Sequence, residues 1–418
     1  MQTFTLTFMA ALLLTFGTRT WLAARHIRHV RAHRNRVPAD FASHIDLDAH
    51  RKAADYTCAK TRLGCVGILL EAMLLLALTL GGGLNALNGF WTGRFDAPLL
   101  QGMALIVSTL LLMSLAQLPI AYYRTFVIEQ RFGFNKMTPA MFLRDLARRV
   151  LLAALLGVPL LWAVLWLMER MDDAWWIYVW LTWAGFNLLI LSVYPTWIAP
   201  LFNSFTPLGD ASLRQRIERL LQKCGFQSSG LFVMDGSRRS SHGNAYFTGF
   251  GRTKRIVFFD TLLTRLSEAE VEAVLAHELG HFSHSHVIKR IAWSFLMSLI
   301  FLWLLGYLMQ QGWFYEGLGI HVAAVPSTAM ALLLFFLTIP VFTFPFQPLA
   351  SLYSRRHEFE ADQYAARHAS AGDLVRALVK LYQDNAATLT PDPLHSAFYD
   401  SHPPATIRIA RLQNLAHN

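Results

Sequence analysis

The chain has 418 residues, of which 54% are hydrophobic and 15% charged, and its formal net charge is +10. Soluble globular domains carry about 25% charged residues, so this composition argues against an ordinary soluble enzyme and for a polytopic membrane protein. No nucleic-acid motif accompanies the positive charge, which sets nucleic acid aside as a partner. In a membrane protein, Lys and Arg set topology and sit against anionic lipid.

Crossing hydrocarbon takes about 20 mostly apolar residues. Seven stretches qualify, at 3–24, 64–86, 99–120, 150–168, 175–193, 291–309 and 328–352. The first is not a cleaved signal: its first charge is Arg19, and a dense basic run follows rather than precedes it. Glu71 lies inside the second stretch. A carboxylate there is expensive unless it lines a wet cavity or is paired. The loops alternate in charge. Loops one, three and five are rich in Lys and Arg, loops two and four hold only Arg94 and Arg170, and loop six, 310–327, holds neither residue type. Positive loops stay inside. The N-terminus is therefore expected outside, and the odd loops and the C-terminal tail in the cytoplasm. The cysteines, Cys58, Cys65 and Cys224, form no CxxC pair and imply no disulfide framework.

Two polar stretches are long enough to fold outside the bilayer, loop five and the tail. This divides the chain into 1–193 with five spans, 194–290, 291–352 with two spans, and 353–418. Being on the same side, the two polar parts can build one domain. Loop five opens with "YPTWIAPLFNSFTPLGD", whose prolines argue against continuous helix. Residues 210–224 have helical periodicity, while "GLFVMD" at 230–235 and "RIVFFD" at 255–260 read as strands. The second belongs to "RTKRIVFFD", expected to alternate in exposure and to offer an edge to an extended peptide. Next, Ser267 with Glu270 three residues on forms a capping box that starts a helix. Val271, Val274, Leu275 and Leu279 give that helix an apolar stripe.

The helix ends in "HELGHFSHSH", 277–286. Residues four apart share a helix face, so His277 and His281 can direct ring nitrogens at one metal ion. Glu278, one step round, can reach a water on that metal and act as general base. A third ligand must come from elsewhere. On a continuing helix His284 and His286 rotate off the His277–His281 face. "SRRHEFEADQYA" at 354–365 is helical in period and follows the seventh span. It offers Glu358, Glu360 and Asp362. Glu358 and Asp362 share a face, so one can bind the metal while the other accepts a hydrogen bond from a ligand histidine.

Six ordered blocks carry a further signal: "FVIEQRFGFNKMT" at 126–138, "YPTWIAPLFNSFTPL" at 194–208, "NAYFTGFGRTKRIVFFDTLL" at 244–263, "HELGH" at 277–281, "RRHEFEADQYA" at 355–365 and "DPLHSAFYDSHPPATIR" at 392–408. With these blocks the chain resembles the type 1 CAAX prenyl endopeptidases, nearly end to end. The resemblance implies a mostly α, polytopic protein with seven transmembrane helices around an intramembrane chamber. It also implies a cytoplasmic HExxH zinc-peptidase domain with a small β element. It assigns one Zn2+ to His277, His281 and Glu358, the general base to Glu278, and the second acidic position to Asp362. Asn244, His402 and Arg408 match family residues that meet substrate beside the metal. The implied partners are a peptide or protein substrate, prenylated or not, and the lipid bilayer. The compact, arginine- and alanine-rich chain looks bacterial, which implies the inner membrane. Bacterial cells generally lack protein prenylation, so quality control of membrane proteins is the alternative task. A metal or proton transporter would place ionisable residues in several spans, whereas only Glu71 is clearly mid-span.

Overall fold

The protein is described from a computed structural model that covers residues 2–248, 255–321 and 327–416. Among these, seven helices are long and apolar enough to cross a membrane: Gln2–Ala32, Leu47–Leu78, Pro98–Glu129, Pro139–Arg170, Asp172–Leu201, His286–Leu308 and Thr328–His368. They correspond one to one with the stretches read from hydropathy, most of them extend beyond the expected bounds, and two of the differences have a clear local cause. The second span ends at Leu78 rather than at residue 86. Three glycines break it. Gly82 has φ +77°, and a Cβ on Gly81 or Gly83 would lie 2.8 Å from the Ala77 carbonyl oxygen. The chain then restarts as a short helix, Gly83–Thr92. The seventh span does not stop at residue 352. It passes through a 3-10 turn at Phe344–Phe346 and continues as one helix, Gln347–His368.

Proline sets other boundaries. Pro139 occupies the first turn of the fourth span behind the Thr138 cap, where its missing N–H costs nothing. After the fifth span, Pro195 and Pro200 coincide with a π-helical turn, Tyr194–Ile198, and a 3-10 turn, Ala199–Leu201. Glu71 is paired: Arg19 Nη1 donates to its Oε2 at 2.9 Å, tying the first span to the second. One apolar cluster takes a buried residue from every span, namely Phe8, Leu75, Leu105, Leu165, Val179, Leu305 and Phe335.

A second core lies outside the spans. Ile217, Phe258, Leu275 and Leu279 of loop five pack with Leu374, Leu378 and Leu412 of the tail. Each such burial is worth roughly 1.5–3 kcal/mol, so the two polar stretches fold on shared apolar ground. The helix expected over 210–224 is Ala211–Lys223, capped by Asp210. Four strands follow the order β1-β2-β4-β3: β1 Phe205–Pro207, β2 Leu231–Met234, β3 Ala245–Thr248 and β4 Arg255–Phe259. β2 and β4 are the two apolar runs and pair in parallel. β1 joins β2, and β3 joins β4, both antiparallel.

The sheet corrects one expectation. β4 lies between β2 and β3, so it has no edge to offer, and Ile256, Val257 and Phe258 are all buried instead of alternating. Residues 252–254 of "RTKRIVFFD" lie outside the described residues. Among the described strands, the edge beside β4 belongs to β3.

Candidate metal centre

The motif helix runs Glu268–Ser283 and starts at the expected capping box. Ser267 N donates to Glu270 Oε2 at 2.7 Å, and Glu270 N donates to Ser267 Oγ at 3.4 Å. The helix packs on Gln347–His368, the continuation of the seventh span. Gly280 permits the approach: a Cβ there would stand 2.8 Å from Ala361 Cα and 3.0 Å from Tyr364 Cβ. The close crossing brings Glu358 over the two histidines.

His277 Nε2 and His281 Nε2 are 3.3 Å apart. Glu358 Oε1 lies 3.3 Å from His281 Nε2, and its Oε2 lies 3.5 Å from His277 Nε2. Ligands about 2.0–2.1 Å from a tetrahedral ion stand about 3.3–3.4 Å from one another. The three side chains thus offer one face of such a tetrahedron. Glu358 Oε2 is buried and accepts no hydrogen bond from a described residue. His402 Nδ1 comes within 2.7 Å of it, without the alignment of a hydrogen bond. Arg408 Nη1 stands 3.6 Å from the same oxygen and favours its charge, and the unmade hydrogen bond leaves the oxygen free to face a further cation. Chemistry and spacing both fit a divalent metal.

The other ring nitrogen of His277 is fixed. Its Nδ1 is 2.9 Å from Asp362 Oδ1. Arg408 holds Asp362 in a fork, Nε to Oδ2 at 2.7 Å and Nη2 to Oδ1 at 2.6 Å. Burial and the Arg408 guanidinium oppose charge on the His277 ring. The nearby Asp362 and Glu358 carboxylates prevail and push its pKa up to about 9. Metal binding must displace the proton from Nε2. Burial works against the Arg408 charge as well, but Asp362 more than compensates and raises its pKa further.

Glu278 is half-buried and makes no hydrogen bond or ion pair with a described residue, so its carboxylate is uncommitted. His402 is largely exposed, with 63% of its side chain accessible beside Glu358. Asn244 sits exposed at the entrance to β3, where its Oδ1 accepts from Ala245 N at 2.9 Å. It makes no hydrogen bond to the histidine–carboxylate cluster. The structure therefore gathers His277, His281, Glu358, Asp362, Arg408 and His402, and leaves Asn244 at the entrance to β3.

Two features escape the sequence reading. The "FVIEQRFGFNKMT" block forms a π-helical turn, Arg124–Glu129, and Glu129 accepts from Tyr56 Oη at 2.6 Å. His242 Nε2 stands 3.6 Å from Glu129, and its Nδ1 meets Asn385 Oδ1 at 3.1 Å. Asn385 Oδ1 also accepts from Gly243 N at 3.2 Å, so this network holds the segment that leads into Asn244. The second feature is His286, which the structure brings back to His281. Helix periodicity hides it, because the chain leaves the helix at His284 and turns through Ser285 at φ +56°.

Seven spans, two histidines one helical turn apart, a facing glutamate and a free carboxylate define an integral-membrane metallopeptidase. Residues 26–204 match the family described as CAAX prenyl protease N-terminal, five membrane helices, and residues 207–416 match peptidase family M48. The chain belongs to peptidase family M48. It is similar to CAAX prenyl protease 1 of Saccharomyces cerevisiae, 33% identical over 402 residues that cover 90% of this chain and 88% of that one. A CAAX prenyl protease 1 homolog of Arabidopsis thaliana is 38% identical over 323 residues, 75% of this chain and 74% of the plant one. The crystal structure of S. mikatae Ste24p aligns with a TM-score of 0.90 at 30% identity and covers 98% of each chain.

Proposed function

We propose that the chain is a zinc metalloendopeptidase that cleaves CAAX-type, membrane-associated peptides, with prenylated C-termini among its substrates. The carrying observation is the triangle of His277, His281 and Glu358 at 3.3–3.5 Å spacing beside an uncommitted Glu278. Bound at these residues, zinc would supply Lewis-acid activation of water and of the scissile carbonyl. Glu278 takes the proton of the attacking water and returns it to the leaving amine. Asp362 and Arg408 keep His277 in the tautomer that leaves Nε2 free. His402, exposed beside Glu358, donates to the developing oxyanion. Asn244 and the β3 edge hold the peptide backbone as an added strand, a mode that tolerates many side chains.

The division at 193, 290 and 352 gives two membrane parts and two halves of one catalytic domain; the core shared by loop five and the tail supports it. The seven spans enclose a chamber for the lipid or hydrophobic part of the substrate. The charge alternation supports a cytoplasmic site with the N-terminus outside. Composition and the short loop six support the bacterial inner membrane; the relatives named above are eukaryotic.

The test is mass spectrometry of products from a peptide panel, prenylated and not, with purified protein and with Glu278→Gln. The variant should keep its zinc and lose at least roughly 10²–10⁴ in kcat. Equal turnover in both proteins would remove Glu278 from the mechanism. Cleavage of unprenylated membrane peptides alone would replace CAAX processing with membrane-protein quality control.

A further inference from the structure

His277 and His281 stand side by side in the metal triangle, yet their outer nitrogens meet different partners. His277 Nδ1 faces a carboxylate directly, 2.9 Å from Asp362. His281 Nδ1 faces another imidazole, 3.0 Å from His286 Nδ1. The opposite nitrogen of that ring, His286 Nε2, lies 2.9 Å from Glu360 Oε2. Glu360 Oε1 in turn accepts from Arg356 Nε at 3.1 Å.

We propose that His286 is a positioning residue, the middle member of a relay His281–His286–Glu360 that fixes the tautomer and aim of the His281 metal ligand. The proton arithmetic has one solution. With His281 Nε2 on a metal, the neutral ring carries its proton on Nδ1 and must donate. His286 Nδ1 is then the acceptor, so the His286 proton resides on Nε2 and points to Glu360. Every donor in the chain has an acceptor, and the line ends on a carboxylate held by an arginine. Such outer partners orient a ligand ring and raise its basicity.

The local backbone is built for this contact. The motif helix ends at Ser283, and the next helix begins at His286. Between them Ser285 adopts φ +56°, a left-handed conformation that non-glycine residues seldom take. The turn reverses the drift that a continuous helix would impose and swings His286 under His281. His286 is 4% exposed. Its ring stacks on His357 at 3.9 Å with 9° between the planes, which holds it in place.

His286, His357 and Glu360 also bring three ligand atoms together, so a second cation is the rival reading. The stack opposes it. An imidazole binds a metal in its own ring plane, and two rings stacked within 9° of parallel, with centroids 3.9 Å apart, do not share a plane in which one ion could sit.

The relay rests on the metal reading of His277, His281 and Glu358, and zinc binding separates the two ideas. Purified full-length protein in detergent, stripped of metal, is titrated with zinc against a chelator, and the metal-free melting temperature is recorded alongside. His286→Phe keeps the stack on His357 but removes the acceptor. It should weaken zinc affinity by about 10–100-fold. His286→Asn places Oδ1 near the former Nδ1 and should recover most of that loss. Glu360→Ala should lose less than His286→Phe. Cobalt in place of zinc should show a shifted visible spectrum in His286→Phe and a near-native one in His286→Asn. Affinity in His286→Phe within about twofold of the parent would overturn the relay. So would equal losses in the Phe and Asn variants that track a lower metal-free melting temperature. If His286→Phe does not fold, His286→Asn and Glu360→Ala carry the test, and a loss of about 10–100-fold in His286→Asn, or none in Glu360→Ala, overturns it. Two zinc ions in the parent and one in Glu360→Ala would establish the second-cation reading instead. Failure of the underlying metal reading looks different, because the parent itself would then bind no zinc tightly.

Discussion

At the scale of single residues, the centre distinguishes three acidic side chains that lie within five positions of one another. Glu358 faces the histidine nitrogens, Asp362 faces the outer side of His277, and Glu360 faces His286. Glu358→Ala should therefore reduce zinc affinity by more than the roughly 10–100-fold that loss of an outer partner costs. Glu360 is committed elsewhere and should not replace it. Undiminished zinc in metal analysis of Glu358→Ala would remove this ligand. Gly280 sets the distance between the ligand helices. A methyl group there meets Ala361 Cα at 2.8 Å, and overpacking of this kind costs about 1–3 kcal/mol. Gly280→Ala should lower both the melting temperature and zinc affinity; a variant that melts and binds like the parent would show that the crossing tolerates a wider gap. His277, Glu278 and His281 are legible in the sequence because four-residue spacing fixes a helix face whatever surrounds it. His286 is not legible, because its position depends on one backbone torsion at Ser285 that helical periodicity cannot anticipate.

At the scale of elements, the start of the motif helix is the most legible feature. Ser267 and Glu270 cap it as their spacing predicts, and the fold adds Lys380, whose Nζ lies 2.7 Å from Glu270 Oε2. Burial favours the neutral acid at Glu270, but the bonds from Lys380 and from the Ser267 backbone outweigh it and lower its pKa. A carboxylate with a depressed folded pKa stabilises above its unfolded pKa, about 4.3. It loses that contribution as pH falls through the folded value. Glu270→Gln should thus lower stability near neutral pH by about 1–2 kcal/mol, and the gap from the parent should close in acid. Melting temperatures across pH 3–8 check this, and a gap that widens in acid would contradict the assignment. The strands are less legible. β2 and β4 are apolar runs, whereas β1 has three residues ending in Pro207 and β3 has four. Segments that short carry too little period to be read, and pairing with a neighbour determines them.

At the scale of the whole molecule, all seven spans are legible because hydrocarbon thickness imposes a length that sequence must meet. Their ends are less so. The acidic helix joins the seventh span without a polar break, and three glycines cut the second short of its apolar run. The proposed orientation rests on charge alone, and reporter fusions test it. One in loop six and one at Asn418, which lies outside the described residues, should report opposite sides. The same side for both would contradict seven crossings.

The ligand helices have no linkers. Ser283 ends the helix that bears His277 and His281, and the sixth span begins at His286. Glu358 rides on a helix that continues the seventh span through a single turn. The metal triangle is thus a caliper whose two arms are membrane spans. Its opening is set where the two ligand helices cross at Gly280, and the spans root the arms beyond that crossing.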